Sequence, residues 1–110
     1  MQTLQGLYRM VKVEYGAPLA ETPFEMGIIA FGPDGSVSLN QRSTGQFFSY
    51  LGQGTLRSDE LRIAVKVCSE TQLEGTTIVR TFKKQGKLLE LSGVGAGSGL
   101  PFRVTWEQML

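Results

Sequence analysis

The sequence predicts an all-β protein: a single up-and-down antiparallel barrel of about eight strands, built from residues 1–110 as one domain. Three observations lead there. Apolar residues recur at every second position through most of the chain, and no stretch holds an apolar stripe at helical spacing for three turns. Turn-forming clusters interrupt this alternation roughly every 8–12 residues, the spacing of sandwiches and barrels. The connections are also short and hairpin-like, whereas a Greek-key sandwich needs a long crossing connection, so a meander is favoured.

The first strand is expected over Leu7–Tyr15, with Leu7, Val11 and Val13 making the better apolar face, and "GAPLAETP" ends it. A hairpin follows. "MGIIAF" and "SVSLNQ" flank "GPDG", in which Pro33 presets φ, Asp34 favours a turn and Gly35 takes the positive φ of a tight reversal. After "QRSTG", the strand "QFFSYLGQGTL" carries Gly52 and Gly54, where a bend or bulge of the kind closed barrels use is expected. "RSDE" turns the chain into Leu61–Cys68, with Leu61, Ile63, Val65 and Val67 on one face. Beyond "SETQLEG" comes Thr76–Phe82, then a turn at "KKQG" that leaves Lys83, Lys84 and Lys87 at a solvated hairpin end. Lys87–Leu91 and Phe102–Glu107 complete the set, the latter with Phe102, Val104 and Trp106 on one face. A barrel of about eight strands can hold one small ligand among its side chains.

Composition narrows the function. A net charge of +1 with 19% charged residues gives no excess of positive charge to attract a polyphosphate backbone, so nucleic acid is a poor partner. The most apolar runs are strand-sized, and the N-terminus lacks the basic start and apolar core of a signal peptide, so a cytoplasmic protein without membrane association is expected. Cys68 is the only cysteine, and there is no histidine. Ser-His-Asp and Cys-His nucleophiles and the usual zinc sites are thereby excluded, and no metal or other cofactor is expected. Any acid or base must be Asp, Glu, Lys, Tyr or Cys, shifted by burial or neighbouring charge.

"SGVGAGSGLPF" (92–102) does not fit a dinucleotide fingerprint. The position three after Gly95 is Ser98, and Pro101 opens a strand where a helix N-terminus would be needed. The stretch reads as the last hairpin loop, either a mobile lid over residues 93–99 at one barrel end or a plain surface loop.

In their order along the chain, several motifs resemble those of lipocalin-like domains of the calycin superfamily. "LQGLYRMVKVE" is similar to the opening Leu-x-Gly-x-Trp-Arg-Leu-Val-x-x-Glu strand, with Gly6 and Arg9 in place and Tyr8 where tryptophan is usual. "GIIAFGPDGSVSLN" resembles the second hairpin, "YLGQGTL" the Tyr-x-Gly-x-Tyr strand, "LEGTTIVRTF" the Gly-Thr-x-x-Arg strand and "VTWEQM" the closing strand. The resemblance implies a small barrel with an apolar pocket and the aromatic at position 8 pointing inward. It also implies a family whose relatives bind hydrophobic ligands and in which a few barrels act as isomerases or cyclases. A META-type β domain, which shares the order of some of these segments, is the alternative fold.

Arg80 is the first candidate for chemistry, because in "TTIVRTFK" it shares a face with Ile78 and Phe82 and turns inward if those are core. A guanidinium does not lose its proton, so it needs a carboxylate, carbonyl oxygens or an anionic ligand. It either clamps a ligand carboxylate or enolate, or stacks on Trp106 or Tyr8 and closes the narrow end. Tyr50, if it faces the cavity, can donate to a carbonyl and stabilise enolate charge; otherwise it bonds a backbone group. Tyr8, Asn40, Ser49, Gln53 and Trp106 are candidate ligand contacts; Asn40 and Gln41 close the second hairpin and are both placed to line a mouth, although turn-proximal amides usually cap backbone groups. Cys68 reads as an inert half-buried thiol. Glu14, Glu25, Asp34, Asp59 and Glu107 suggest neither a metal cage nor a carboxylate pair.

The leading expectation is cofactor-free binding of a small hydrophobic or amphipathic molecule in the barrel. The enzyme alternative is a non-redox isomerase or cyclase on a biosynthetic, polyketide- or terpenoid-like substrate, with Tyr50 and Arg80 polarising a carbonyl. A protein-interaction module using an exposed edge strand fits if the barrel is open, and a homodimer is among the allowed assemblies.

Overall fold

The computed structural model describes residues 4–95 and 98–109. Among these residues nine antiparallel strands run in chain order as β1 (Gly6–Tyr15), β2 (Ala20–Glu21), β3 (Met26–Phe31), β4 (Ser36–Ser43), β5 (Gln46–Arg57), β6 (Glu60–Cys68), β7 (Thr77–Gln85), β8 (Leu88–Val94) and β9 (Pro101–Gln108). Each strand from β3 onward pairs with its successor, β1 pairs with β3, and β9 returns to β1 from Tyr8↔Gln108 to Tyr15↔Phe102. The sheet is therefore closed. The interaction reading that needed an open edge loses its premise. β2, unforeseen in the sequence, is a two-residue strand laid beside the end of β1. A 3-10 turn at Thr71–Leu73 bridges β6 and β7, whose ladder is confined to Glu60–Ala64.

The turn chemistry read from "GPDG" is present. Gly35 has φ +87°, its N–H donates to the Gly32 carbonyl, and the Asp34 carboxylate accepts the Ser36 N–H at 3.0 Å, which holds that carboxyl below its ordinary range. Tyr8, Ile29, Val37, Leu61, Ile63, Val65 and Leu89 form the fully buried centre of one hydrophobic cluster.

Two bulges correct the simple alternation. On β1 the pairing with β9 passes from Met10↔Trp106 to Lys12↔Thr105, leaving Val11 unmatched. Tyr8 and Met10 consequently point inward before the bulge and Val13 and Tyr15 after it, while Leu7 is only half-buried and Val11 is exposed. The expected face of Leu7, Val11 and Val13 does not exist, and position 8 faces the core as the resemblance implied. On β6 the pairing with β5 passes from Leu51↔Val67 to Gly52↔Val65, leaving Lys66 unmatched. Val67 is pushed out, 58% exposed, and Cys68 turns in and is buried rather than half-buried. An extra residue on one strand reverses the parity of everything beyond it.

The expected turn at "KKQG" also moves, because β7 continues to Gln85. Its inward face runs Ile78, Arg80, Phe82, Lys84. Lys84 is not a solvated end residue: its ammonium lies 5.8 Å from the centre of the Tyr8 ring and donates to the Gly86 carbonyl. A lysine, not Arg80, stacks on the aromatic at that end.

Candidate functional site

The inner face of the barrel leaves an opening at the end where β1 and β5 bring Tyr15 and Phe48 together with the start of β9. It is a cavity of about 310 Å³, with Ile29, Leu39, Leu91 and Val104 as apolar wall and Tyr50, Arg80 and Gln41 as polar groups. This lies at the small end of ligand-sized pockets. A second pocket of about 320 Å³ at the opposite end is lined by the glycine turn and by Leu4, Phe31, Val37, Leu56 and Leu61, with no ionisable side chain among the described residues. Chemistry thus concentrates at the first.

Period-two alternation on β7 aims Arg80 at the cavity. The guanidinium carbon stands 4.8 Å from the centre of the Phe102 ring, and Nη1 donates to the Val79 carbonyl at 2.9 Å. Burial lowers its pKa, which the nearby Tyr50 oxygen partly offsets. Among the described residues no carboxylate lies within ion-pair distance of it. Glu14, between the cavity residues Val13 and Tyr15 on β1, is on the outer face, clasped by Arg103 through two hydrogen bonds of 2.9 and 3.1 Å that hold its carboxyl below the usual range.

Tyr50 stands on β5, its ring edge-on to Phe48 at 6.0 Å between centres. Burial pushes its phenol up to about 12, with the Arg80 charge pulling the other way and Cys68 adding slightly to the rise. At neutral pH it is a protonated donor.

Of the residues expected to form the site, Tyr50, Arg80 and Trp106 come together on one cavity, with Phe102 and Val104 beside Trp106 as the strand face required. Asn40, Ser49 and Gln53 do not join them. Leu39, Gln41, Phe48 and Tyr50 take the inward positions, so Asn40 and Ser49 alternate outward, and the exposed Gln53 donates to the Asp34 carbonyl at 2.7 Å, stapling the turn. Tyr8 is in the core beyond the cavity floor, edge-on to Phe31 at 5.7 Å.

The Tyr8 hydroxyl and the Trp106 indole N–H are buried without a hydrogen-bond partner among the described residues. An unmade buried bond costs about 1–3 kcal/mol. Tyr8→Phe is therefore expected to raise stability by about 1 kcal/mol, read as a higher urea midpoint, and to leave ligand affinity unchanged; loss of affinity would return Tyr8 to the site.

Of Asn40 and Gln41, which the sequence offered together as mouth residues, Gln41 is the one on the wall, while Gly93 and Tyr15 were missed altogether. Gly93 follows Leu89 and Leu91 on the inward face of β8, and a Cβ there would stand 3.0 Å from Arg80 Nη1 and 3.1 Å from Phe102 Cζ. The stretch 93–99 is partly described: β8 extends to Val94, Gly95 and Leu100 are hydrogen-bonded, and Ser98 bonds the Tyr15 hydroxyl at the cavity rim. Ala96 and Gly97, where the expected lid would have its tip, lie outside the described residues. Among the described residues no three His, Cys, Asp or Glu side chains cluster to hold a metal, and no helix is long and apolar enough to cross a membrane.

Closed meander, short turns and an end cavity carrying interior polar groups define the class of small β-barrels with ligand-sized cavities. No family model and no curated protein matches the sequence. Among solved structures, the chain is similar to a lipocalin-like protein from Bacteroides uniformis, with a TM-score of 0.68 and 16% identity over 96% of this chain and 98% of that one. It is also similar to an uncharacterized protein from Bacteroides eggerthii, with a TM-score of 0.61 and 12% identity over 96% of this chain and 98% of that one. The protein is a lipocalin-like small β-barrel in fold, and the META-type alternative is set aside.

Proposed function

We propose that the protein binds a small hydrophobic or amphipathic molecule, without a cofactor, in the cavity carrying Arg80 and Tyr50. The observation behind this is the cavity itself: apolar side chains form most of the wall of a space that the core cluster does not fill, and the polar groups of Arg80, Tyr50 and Gln41 converge on it. N-phenylnaphthylamine, a neutral dye that brightens in apolar surroundings, is expected to bind saturably with one site per chain. Val104→Trp, which projects a larger ring from the wall, is expected to abolish that binding while the protein keeps its cooperative unfolding. Failure of the dye to bind the native protein would overturn the reading.

A second reading is a non-redox isomerase or cyclase. It is supported by the protonated Tyr50 beside Arg80, a pair able to polarise a substrate carbonyl. Proton abstraction is the harder step for this site, because the cavity wall contributes no carboxylate among the described residues and a phenol titrating so high is a poor base near neutrality. Binding is accordingly the better-supported function.

A further inference from the structure

We propose that the ligand of this cavity is an organic anion, a carboxylate or enolate oxygen on a flat apolar body, and that Gly93 is the positioning residue that seats Arg80 to receive it. The proposal rests on the ligand-binding reading above and names the chemical class that reading leaves open.

Arg80 brings a full positive charge to a cavity wall otherwise made of apolar side chains and the neutral Tyr50 and Gln41. Arg80 is half-buried, and a charge drawn this far out of water gains from an opposite charge beside it. Here the protein supplies a backbone carbonyl and an aromatic face, and among the described residues no carboxylate. Glu14, between the wall residues Val13 and Tyr15 of β1, is committed to Arg103 on the other side of the sheet. The missing counter-charge is therefore the ligand's to bring. Tyr50 is a donor aligned with the same requirement, since its hydroxyl bonds no acceptor among the described residues and burial keeps it protonated. The aromatic rings of Tyr15, Phe48, Phe102 and Trp106 around these donors suit a flat body over a branched one.

Gly93 explains why the guanidinium lies along the wall and does not cross the cavity. Position 93 is an inward position of β8, paired with Phe102, and any Cβ there would crowd the Arg80 side chain at 3.0–3.1 Å as well as the Phe102 ring. The absent side chain leaves a notch that the arginine occupies. Arg80 is thereby held between Phe102 and the Val79 carbonyl, prepared for an anion before one arrives.

A matched pair of probes tests this, naphthoate and naphthylmethanol, which share a ring and differ in carrying a carboxylate or a hydroxymethyl group. Native protein is expected to bind naphthoate at least about tenfold more tightly, the scale of a charge-assisted hydrogen bond, measured by titration calorimetry. Arg80→Met is expected to erase that preference while still binding naphthylmethanol. Gly93→Val is expected to reduce the preference several-fold by displacing the guanidinium, again with naphthylmethanol binding retained. Equal affinity of native protein for the two probes, or a preference that survives in Arg80→Met, overturns the anion assignment and leaves the cavity reading standing. Unchanged discrimination in Gly93→Val overturns the role of Gly93. Binding of neither probe, nor of the neutral dye, removes the cavity reading and the anion assignment together. The comparison in native protein needs no variant, so a folding defect in either substitution cannot hide the answer.

Discussion

Leu89→Ala is expected to destabilise the protein by about 2–5 kcal/mol, the range for truncating a large aliphatic side chain in a packed core. Leu89 is completely buried near the start of β8, paired with Lys84 on β7 and Trp106 on β9. A barrel wall cannot collapse inward to fill the gap without breaking its ladders, so little relaxation is available. Domains of this size have net stabilities of about 5–15 kcal/mol, so the loss is a large share of the whole. Urea unfolding should show a lower midpoint at unchanged slope. A loss below about 1 kcal/mol would mean that the centre of the barrel is looser than its burial implies.

Gly52→Ala is expected to cost about 1–3 kcal/mol, the range for overpacking, although it adds a single methyl. Its Cβ would stand 2.6 Å from the Ala64 carbonyl oxygen and 2.8 Å from Ile63 Cγ2. That oxygen belongs to the β5–β6 ladder at the site of the bulge, so relief requires backbone movement where the sheet bends. Gly27→Ala is an internal comparison, since its Cβ would meet the Met10 side chain, with the mobile methyl at 2.7 Å as the nearest atom. The thioether can swing away. Parallel thermal unfolding of the two variants should therefore rank Gly52→Ala well below Gly27→Ala, and the reverse order would discredit the argument from backbone rigidity.

The fold was legible because alternation and turn chemistry agreed over most of the chain. "GPDG" announced its hairpin, and the strands from β3 to β9 fall within a few residues of where the pattern put them. What alternation cannot carry is a change of parity. The unmatched Val11 and Lys66 look like ordinary strand residues, yet each reverses the facing of the residues beyond it, and this is why Val67 and Cys68 exchanged places relative to the simple pattern. Gly52 did signal a bend, but a glycine on one strand does not reveal that the extra residue lies on its partner.

The site was legible to the extent that it depended on uninterrupted alternation. Arg80 could be aimed inward from Ile78 and Phe82 alone, and Trp106 from Phe102 and Val104. Asn40 and Gln41 are equally polar neighbours, and only the register that fixes Leu39 inward decides between them. The end of the barrel at which each cation sits was also hidden, because Arg80 and Lys84 share one face of one strand and are separated only by how far along it the cavities lie. Gly93 gave no positive sign at all, since an empty place matters only through the neighbour that fills it.

The pairing of β9 with β1 also bears on the rates at which the protein forms and opens. Arg9 and Glu107, 98 positions apart, meet across it, whereas every other full-length ladder joins strands that are neighbours in the meander. Closing so long a loop directly is entropically unfavourable, and the cheaper course is for the hairpins to zip in sequence and bring the two terminal strands together last. Contacts made after the rate-limiting step change the unfolding rate and leave the folding rate nearly untouched. Contacts across this seam, the Glu14–Arg103 clasp more than the exposed Arg9–Glu107 pair, would then lengthen the time a closed barrel stays closed while changing little how fast it is reached.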